Sequence, residues 1–310
     1  MEAFLDGLSG IGKAVLVIGL VGGCLGLAVL AVGRSPRRVR PSLSLIVFLG
    51  PALALMVLGL VVPALVTAYL SLGQASASPG GGPQDAWALS DEASKGFLIN
   101  TLLWGIVVPA VSTAFGLVLA LLLGRMGRRN LLLHLFLLPM AMAYVGASIA
   151  WGLLYRSVGV VDFQAGGPGQ PWNSLLLMVV MIWVQAGFAT VILASAIRGI
   201  PVDLIEAARL DGASGWVMLT KVMLPMLRSI VLIVLIAIMA VSIKVFDIVR
   251  TLTNGRYGTQ VLANEMFEQA FVDSNVPGGS ALAMLLLIAI SPLAAYLLTR
   301  FHRERVGAES

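Results

Sequence analysis

The sequence predicts an all-α integral membrane protein, and three observations carry that expectation. Hydrophobic residues fill 59% of the 310 positions and charged residues only 11%, less than half the roughly 25% usual in soluble domains. Seven runs match the length of about 20 mostly apolar residues that a span needs: 14–32, 43–71, 98–124, 131–155, 173–196, 222–246 and 280–300. Basic residues gather in alternate connections, the bias that orients membrane helices. A water-soluble fold of this composition would expose large apolar patches, so the solvent it suits is a bilayer.

The first run follows the leader "MEAFLDGLSGIGK", with two acids against one lysine and a poor small-residue cleavage pattern. An uncleaved helix is expected there rather than a signal peptide. Its pairs Gly19/Gly23 and Gly22/Gly26 permit close helix approach. Arg34, Arg37, Arg38 and Arg40 follow it. Arg125, Arg128 and Arg129 lie between the third and fourth runs, Arg198, Arg209 and Lys221 between the fifth and sixth, and Arg300, Arg303 and Arg305 after the seventh. The other connections hold Lys95, Arg156, and Arg250 with Arg256. The expected topology is multi-pass, with the N-terminus outside and the C-terminus cytoplasmic. The short basic clusters fit topology, and no nucleic-acid partner is expected.

Two outer connections differ in character. Residues 72–97 contain the flexible "SASPGGGPQDA". Residues 247–279 contain a turn signal, "TNGRYGT". The following "QVLANEMFEQAF" aligns Val261, Leu262, Ala263, Met266, Phe267, Ala270 and Phe271 along one helical stripe, away from Glu265 and Glu268. Such a helix either lies on lipid or offers a docking surface.

Several chemistries find no support. Gly7, Gly12 and Lys13 meet most of the phosphate-loop pattern, but Ala14 stands where magnesium needs Ser or Thr and no strand precedes. The lone Cys24 excludes an internal disulfide, and His134 and His302 lack ligand-spaced partners, so no metal site is expected. No catalytic constellation stands near a span; the chain is not expected to be an enzyme. Ionisable groups near the spans are chiefly Arg228, Lys244 and Asp247. The last two are three residues apart, so on one helix they share a face, as a structural ion pair or a substrate contact.

The segment "EAARLDGASGWVMLTKVMLP", Glu206–Pro225, breaks the apolar pattern. Pro201 suits a first helical position, "VDLIEAARL" a helix, and Gly212 a left-handed stop after Asp211. Ser214 can cap a second short helix, "GWVMLTK", before Leu224-Pro225 opens the next span. With Trp216, Met218 and Leu219 beside charge, the composition is that of a rigid knob fitting a partner's groove.

These residues carry a resemblance. Glu206-Ala207-Ala208, Gly212 and Leu224-Pro225 match the spacing of the EAA loop of ATP-binding-cassette importer permeases, with Val222 in place of Ile. "GIPVDLIEAARLDGAS" and "KVFDIVRTLTNGRYGTQVLANEMFEQAF" are similar to the maltose/carbohydrate type. Many of those carry Thr-x-Gly-Gly-Pro where this chain has Thr253-Asn254-Gly255-Arg256-Tyr257, a departure that resembles the α-glucoside branch.

The resemblance implies a six-helix type I importer core with one extra N-terminal transmembrane helix. The domains follow: residues 1–41 for the extra helix and basic loop, 42–303 for the permease domain with its coupling loop at 199–225, and 304–310 for a cytoplasmic tail. It further implies a bacterial or archaeal plasma membrane, surrounding lipid, an ATPase dimer that binds ATP and magnesium, a second permease subunit, and an extracytoplasmic sugar-binding protein. The coupling residues would be Glu206, Ala207, Ala208, Asp211, Gly212, Trp216, Leu224 and Pro225. A sugar path would draw on Asn100, Tyr144, Ser148, Trp151, Gln185, Ser242 and Asn264, each of which ordinary interhelical bonding or interfacial anchoring explains equally. The competing class, a secondary transporter or channel, would need coupling-ion residues at depth or inverted repeats, and the chain offers neither.

Overall fold

The computed structural model describes residues 40–73, 92–125 and 138–308. The first expected span, its glycine pairs, Cys24, the phosphate-loop-like segment and His134 lie outside them. Among the described residues every regular element is helical. Five helical stretches are long and apolar enough to cross a membrane: Val47–Leu72, Lys95–Leu123, Trp172–Arg198, Gly215–Ser242 and Val276–Thr299. The chain separates into two compact units, residues 1–67 and 68–310.

From the first unit into the second run α1 (Arg40–Met56), a π-helical segment (Val57–Val61) and α2 (Val62–Gly73). The π segment has a local cause. Proline has no N–H, and its ring crowds the carbonyl four residues back. For Pro63 that carbonyl belongs to Gly59, inside the widened stretch, where the Val62 N–H bonds to the Val57 carbonyl instead.

The second unit continues with α3 (Glu92–Arg125), α4 (Tyr144–Ser157) and α5 (Trp172–Arg198). Then come α6 (Val202–Leu210), α7 (Gly215–Val217), α8 (Leu224–Ser242), α9 (Asp247–Leu252), α10 (Leu262–Phe267) and α11 (Val276–Ala308). The main core forms where α3 meets α5. Along α3 the buried positions step by four, through Asn100, Trp104, Val108, Ser112, Gly116 and Ala120, one ridge of the helix surface. Gly116 is required there: a Cβ would stand 2.5 Å from that of Ala189 on α5, far inside van der Waals contact. Leu177, Met178, Met181 and Leu193 of α5 and Val234 and Ile238 of α8 complete this core.

Four expectations need correction. The fourth run is not one helix from 138 to 155: a 3-10 turn at Leu138–Ala141 precedes α4, because Pro139 cannot sit inside a regular helix without losing a bond. The sixth run ends at Ser242, short of 246. Glu92–Phe97, expected in a loop, form the first turns of α3. The apolar stripe that begins in α10 is neither wholly lipid-facing nor wholly free, since Leu262 and Ala263 at its start pack with Phe97, Leu282 and Leu286 in a second core. Phe271, at its far end, stays exposed.

Candidate coupling knob and transport face

Between α5 and α8 the chain builds a projecting knob. Pro201 precedes α6 rather than beginning it; its extended ψ of 131° makes it the residue before the helix. Asp203 lies in the first turn and Arg209 in the last, each at the helix end whose partial charge it complements. The exit is a Schellman closure: the Ala213 N–H reaches the Ala208 carbonyl at 2.9 Å and the Gly212 N–H the Arg209 carbonyl at 3.0 Å. This geometry needs a left-handed residue, and Gly212 has φ +81°.

The expected second helix takes a different form. Gly215–Val217, a π segment Met218–Met223 and Leu224–Ser242 make one continuous helical stretch. Ser214 caps it only through its backbone, its carbonyl accepting the Val217 N–H at 2.9 Å, with no side-chain bond. The π segment repeats the logic of Pro63. Pro225 crowds the carbonyl of Lys221, and the Leu224 N–H reaches back five residues to Leu219. The Leu-Pro pair therefore widens the helix between knob and span. Pro109 and Pro292 sit inside α3 and α11 without such a segment, so proline alone does not dictate one.

The knob is largely exposed. Glu206, Ala207, Asp211, Gly212, Trp216, Leu224 and Pro225 are exposed, and Ala208 is half-buried. Leu210 is 90% exposed and Trp216 76% exposed, although both are large and apolar. Leu210 was not among the expected coupling residues; a leucine just before Asp-Gly carries no signal apart from its exposure. Beside them opens a cleft of about 740 Å³, lined by Leu121, Ile197, Ile205, Arg209, Trp216 and Met218 among others.

At the other end of the bundle the turn 253–259 is strongly curled, with Asn254, Gly255, Tyr257 and Gly258 all at positive φ. Amides from distant elements hold it. Asn100 Nδ2 donates to the carbonyls of Gly258 at 2.7 Å and Gln260 at 3.0 Å. Asn173 Nδ2 donates to Tyr257 at 3.1 Å and Gln170 Nε2 to Gly258 at 2.5 Å. Thr253 and Thr259 share a 2.6 Å hydroxyl bond. Beyond it, Gln260 Nε2 donates to Glu265 at 2.7 Å and to Glu268 at 3.0 Å, and Arg250 pairs with Glu268 at 3.2 Å while lying over Phe267. Sequence reading passed over Asn173 and Gln170, because only the fold brings them to this turn.

The seven path candidates do not gather at one place. Asn100 holds the turn. Asn264 is buried and its Nδ2 donates to Gln260 Oε1 at 2.6 Å. Ser148 and Ser242 are fully buried and bond back to Tyr144 and Ile238 of their own helices. Trp151 packs against Tyr155 and Trp183, with ring centroids 5.3 and 5.7 Å apart. Gln185 is buried in α5. Tyr144 lines a cleft of about 160 Å³ with Met181, Val241, Lys244, Val245, Phe246, Asp247 and Ile248. Lys244 and Asp247 do not form the expected ion pair: the helix that would have aligned them has ended at Ser242, and a new one starts at Asp247.

Comparison with known proteins fits this architecture. The chain is 37% identical over 295 residues to the alpha-glucoside transport system permease protein AglF of Rhizobium meliloti, covering 89% of this chain and 88% of that one. It is 33% identical over 274 residues to the osmoprotective compounds uptake permease protein GgtC of Synechocystis, covering 83% and 98%. The trehalose transport system permease protein SugA of Mycobacterium tuberculosis is 27% identical over 219 residues, covering 68% and 71%. In fold it matches a chain from the crystal structure of a bacterial ABC transporter involved in the import of the acidic polysaccharide alginate, with TM-score 0.70 and 19% identity over 87% of this chain and 97% of that one. Residues 96–307 match the model of one family, and so the chain belongs to the binding-protein-dependent transport system inner membrane components.

Proposed function

We propose that the chain is the permease subunit of an ATP-driven importer of α-glucoside-type di- or oligosaccharides, and that its knob couples ATP hydrolysis in a partner to access of the path. The observation that carries the coupling role is the knob itself: a short helix closed on Gly212 at φ +81°, with Leu210 and Trp216 exposed beside a wide cleft. Exposed large apolar side chains on a rigid projection are what a partner's groove takes as anchors. Alpha-glucoside and trehalose permeases among the relatives support a sugar cargo.

In this reading an ATPase dimer grips α6, with Glu206, Ala207, Ala208 and Asp211 in its groove, and carries ATP and magnesium. Closure of the dimer moves the knob as a rigid body. The motion passes through the Leu224-Pro225 junction into α8 and switches access to the path between a second permease subunit and this one. A binding protein delivers sugar from outside. The alternation of basic clusters supports a topology with the N-terminus outside and the C-terminus and knob in the cytoplasm.

Purification of the chain from its native membranes in mild detergent, with mass spectrometry of what accompanies it, tests the assembly. Recovery of an ATPase and a second permease is the expected result. A well-folded chain that repeatedly comes alone would overturn it in favour of a standalone transporter.

A further inference from the structure

Three candidate spans end around the cleft beside the knob. Leu121 stands two residues before the end of Lys95–Leu123, Ile197 one before the end of Trp172–Arg198, and Gly215 opens Gly215–Ser242. The cleft, of about 740 Å³, therefore lies at one edge of the membrane. Its walls are graded. Met218 is buried, and Leu121, Ile197, Leu219 and Met223 are half-buried, whereas Arg209 and Ser214 are exposed and form its polar end. Arg209 makes no hydrogen bond or ion pair among the described residues, and the Ser214 side chain makes no capping bond. This is a different surface from the one that bears Leu210. Ile205 and Arg209, four residues apart, share the face of α6 that lines the cleft. Glu206 and Leu210 lie about 100° further round the helix and line no part of it. Of the expected coupling residues only Trp216 does.

An apolar interior with a cation and a hydroxyl at one end suits an amphiphile. A guanidinium matches two phosphate oxygens at once and is more weakly hydrated than an ammonium, and the serine hydroxyl adds a donor. Basic pockets between membrane helices take anionic lipid headgroups in this way. A soluble anion would leave the apolar walls uncovered, and a zwitterionic headgroup brings its own cation beside the phosphate. We propose that the cleft binds one anionic phospholipid of the adjoining leaflet. Its phosphate meets Arg209 and Ser214, and the upper part of its chains runs along Met218, Leu219 and Leu121. There it bridges the knob to the ends of α3 and α5. The site goes beyond the transport reading and requires only that the chain sits in a membrane.

The test titrates the full-length chain, purified in detergent alone and with its co-purifying subunits, against phosphatidylglycerol and phosphatidylcholine in native mass spectrometry. One phosphatidylglycerol is expected to bind roughly fivefold tighter than phosphatidylcholine, the scale of one base near an anionic surface. Arg209→Gln should remove that preference and Arg209→Lys should keep part of it. Arg198→Gln should keep all of it, since Arg198 is an exposed base at the same edge that lines no part of the cleft. Ser214→Asp suits a helix start and sets a carboxylate against the phosphate, so it should lose the preference, while Ser214→Asn retains it; this pair decides the matter where Arg209→Gln does not fold. Equal losses in Arg209→Gln and Arg198→Gln overturn the site in favour of general attraction to basic span ends. An unaltered chain without any preference overturns it outright. Displacement of phosphatidylglycerol by an equal concentration of glycerol 3-phosphate overturns it as a soluble-anion site. A preference present in the lone chain but absent with the subunits assigns the cleft to a protein partner and overturns it too.

Discussion

The knob and the curled turn are both built on positive-φ residues, yet they are held in opposite ways. The knob closes on itself: its defining bonds join Ala213 to Ala208 and Gly212 to Arg209, within five residues. The turn at 253–259 is clamped from afar, by Asn100 across 158 and 160 residues, Gln170 across 88 and Asn173 across 84. A locally closed element keeps its shape while it moves relative to the rest of the chain. A remotely clamped one keeps its shape only while three separate elements stay together. The first suits a lever, the second a fixed platform at one end of the bundle.

Gly212→Val should strike hardest at this contrast. A β-branched residue at φ +81° is a genuine outlier, and both bonds of the knob's Schellman closure depend on that conformation. Transport should be abolished while the chain still reaches the membrane in normal amount; undiminished uptake would break the lever reading. Leu210→Ala should leave melting within about 0.5 kcal/mol because the side chain is exposed, yet weaken ATPase association at least tenfold, the order expected for an anchor. Equal association in a detergent binding assay would show that Leu210 is no anchor. Asn100→Ala should act through stability instead. It leaves the Gln260 carbonyl without this donor and the Gly258 carbonyl with Gln170 alone, costing about 1–3 kcal/mol, each kcal/mol lowering the melting temperature by roughly 2–4 °C, with uptake falling only as abundance falls. Smallest is Arg156→Ala, which removes an exposed 3.3 Å pair with Asp162 worth at most about 1 kcal/mol; a larger shift would mean the segment after α4 is under more constraint than its exposure implies.

The same contrast explains what could be read early. Glu206, Gly212 and Leu224-Pro225 were legible because each acts on neighbours within a few residues. Helix period, a left-handed stop and a missing N–H are properties of short windows. The π segment before Pro225 followed the same local rule but was passed over, since proline at the start of a span ordinarily reads as a clean beginning. The α10 stripe was legible as amphipathic but not in its destination, because an apolar face does not say whether lipid, a partner or the chain's own α11 will cover it.

Asn100 and Asn264 stood out in sequence as polar residues in apolar surroundings; Asn100 has a bonding role that only tertiary contacts supply, whereas Asn264 bonds to Gln260 four residues before it. Lys244 and Asp247 show the reverse. Their three-residue spacing implies a shared face only if one helix runs through both, and the break after Ser242 removes that premise.

By itself the sequence determined an all-helical chain of membrane composition, the places of most of its spans and the self-closing knob, because hydrophobicity, helix period and backbone stereochemistry act within short windows. Tertiary structure alone decided which amides clamp the curled turn, where the α10 face is buried, that α8 stops before Lys244, and that the two charges share a cleft with Tyr144. Those outcomes depend on segments up to 160 residues apart meeting, and no local propensity encodes which distant carbonyl or aromatic ring will arrive.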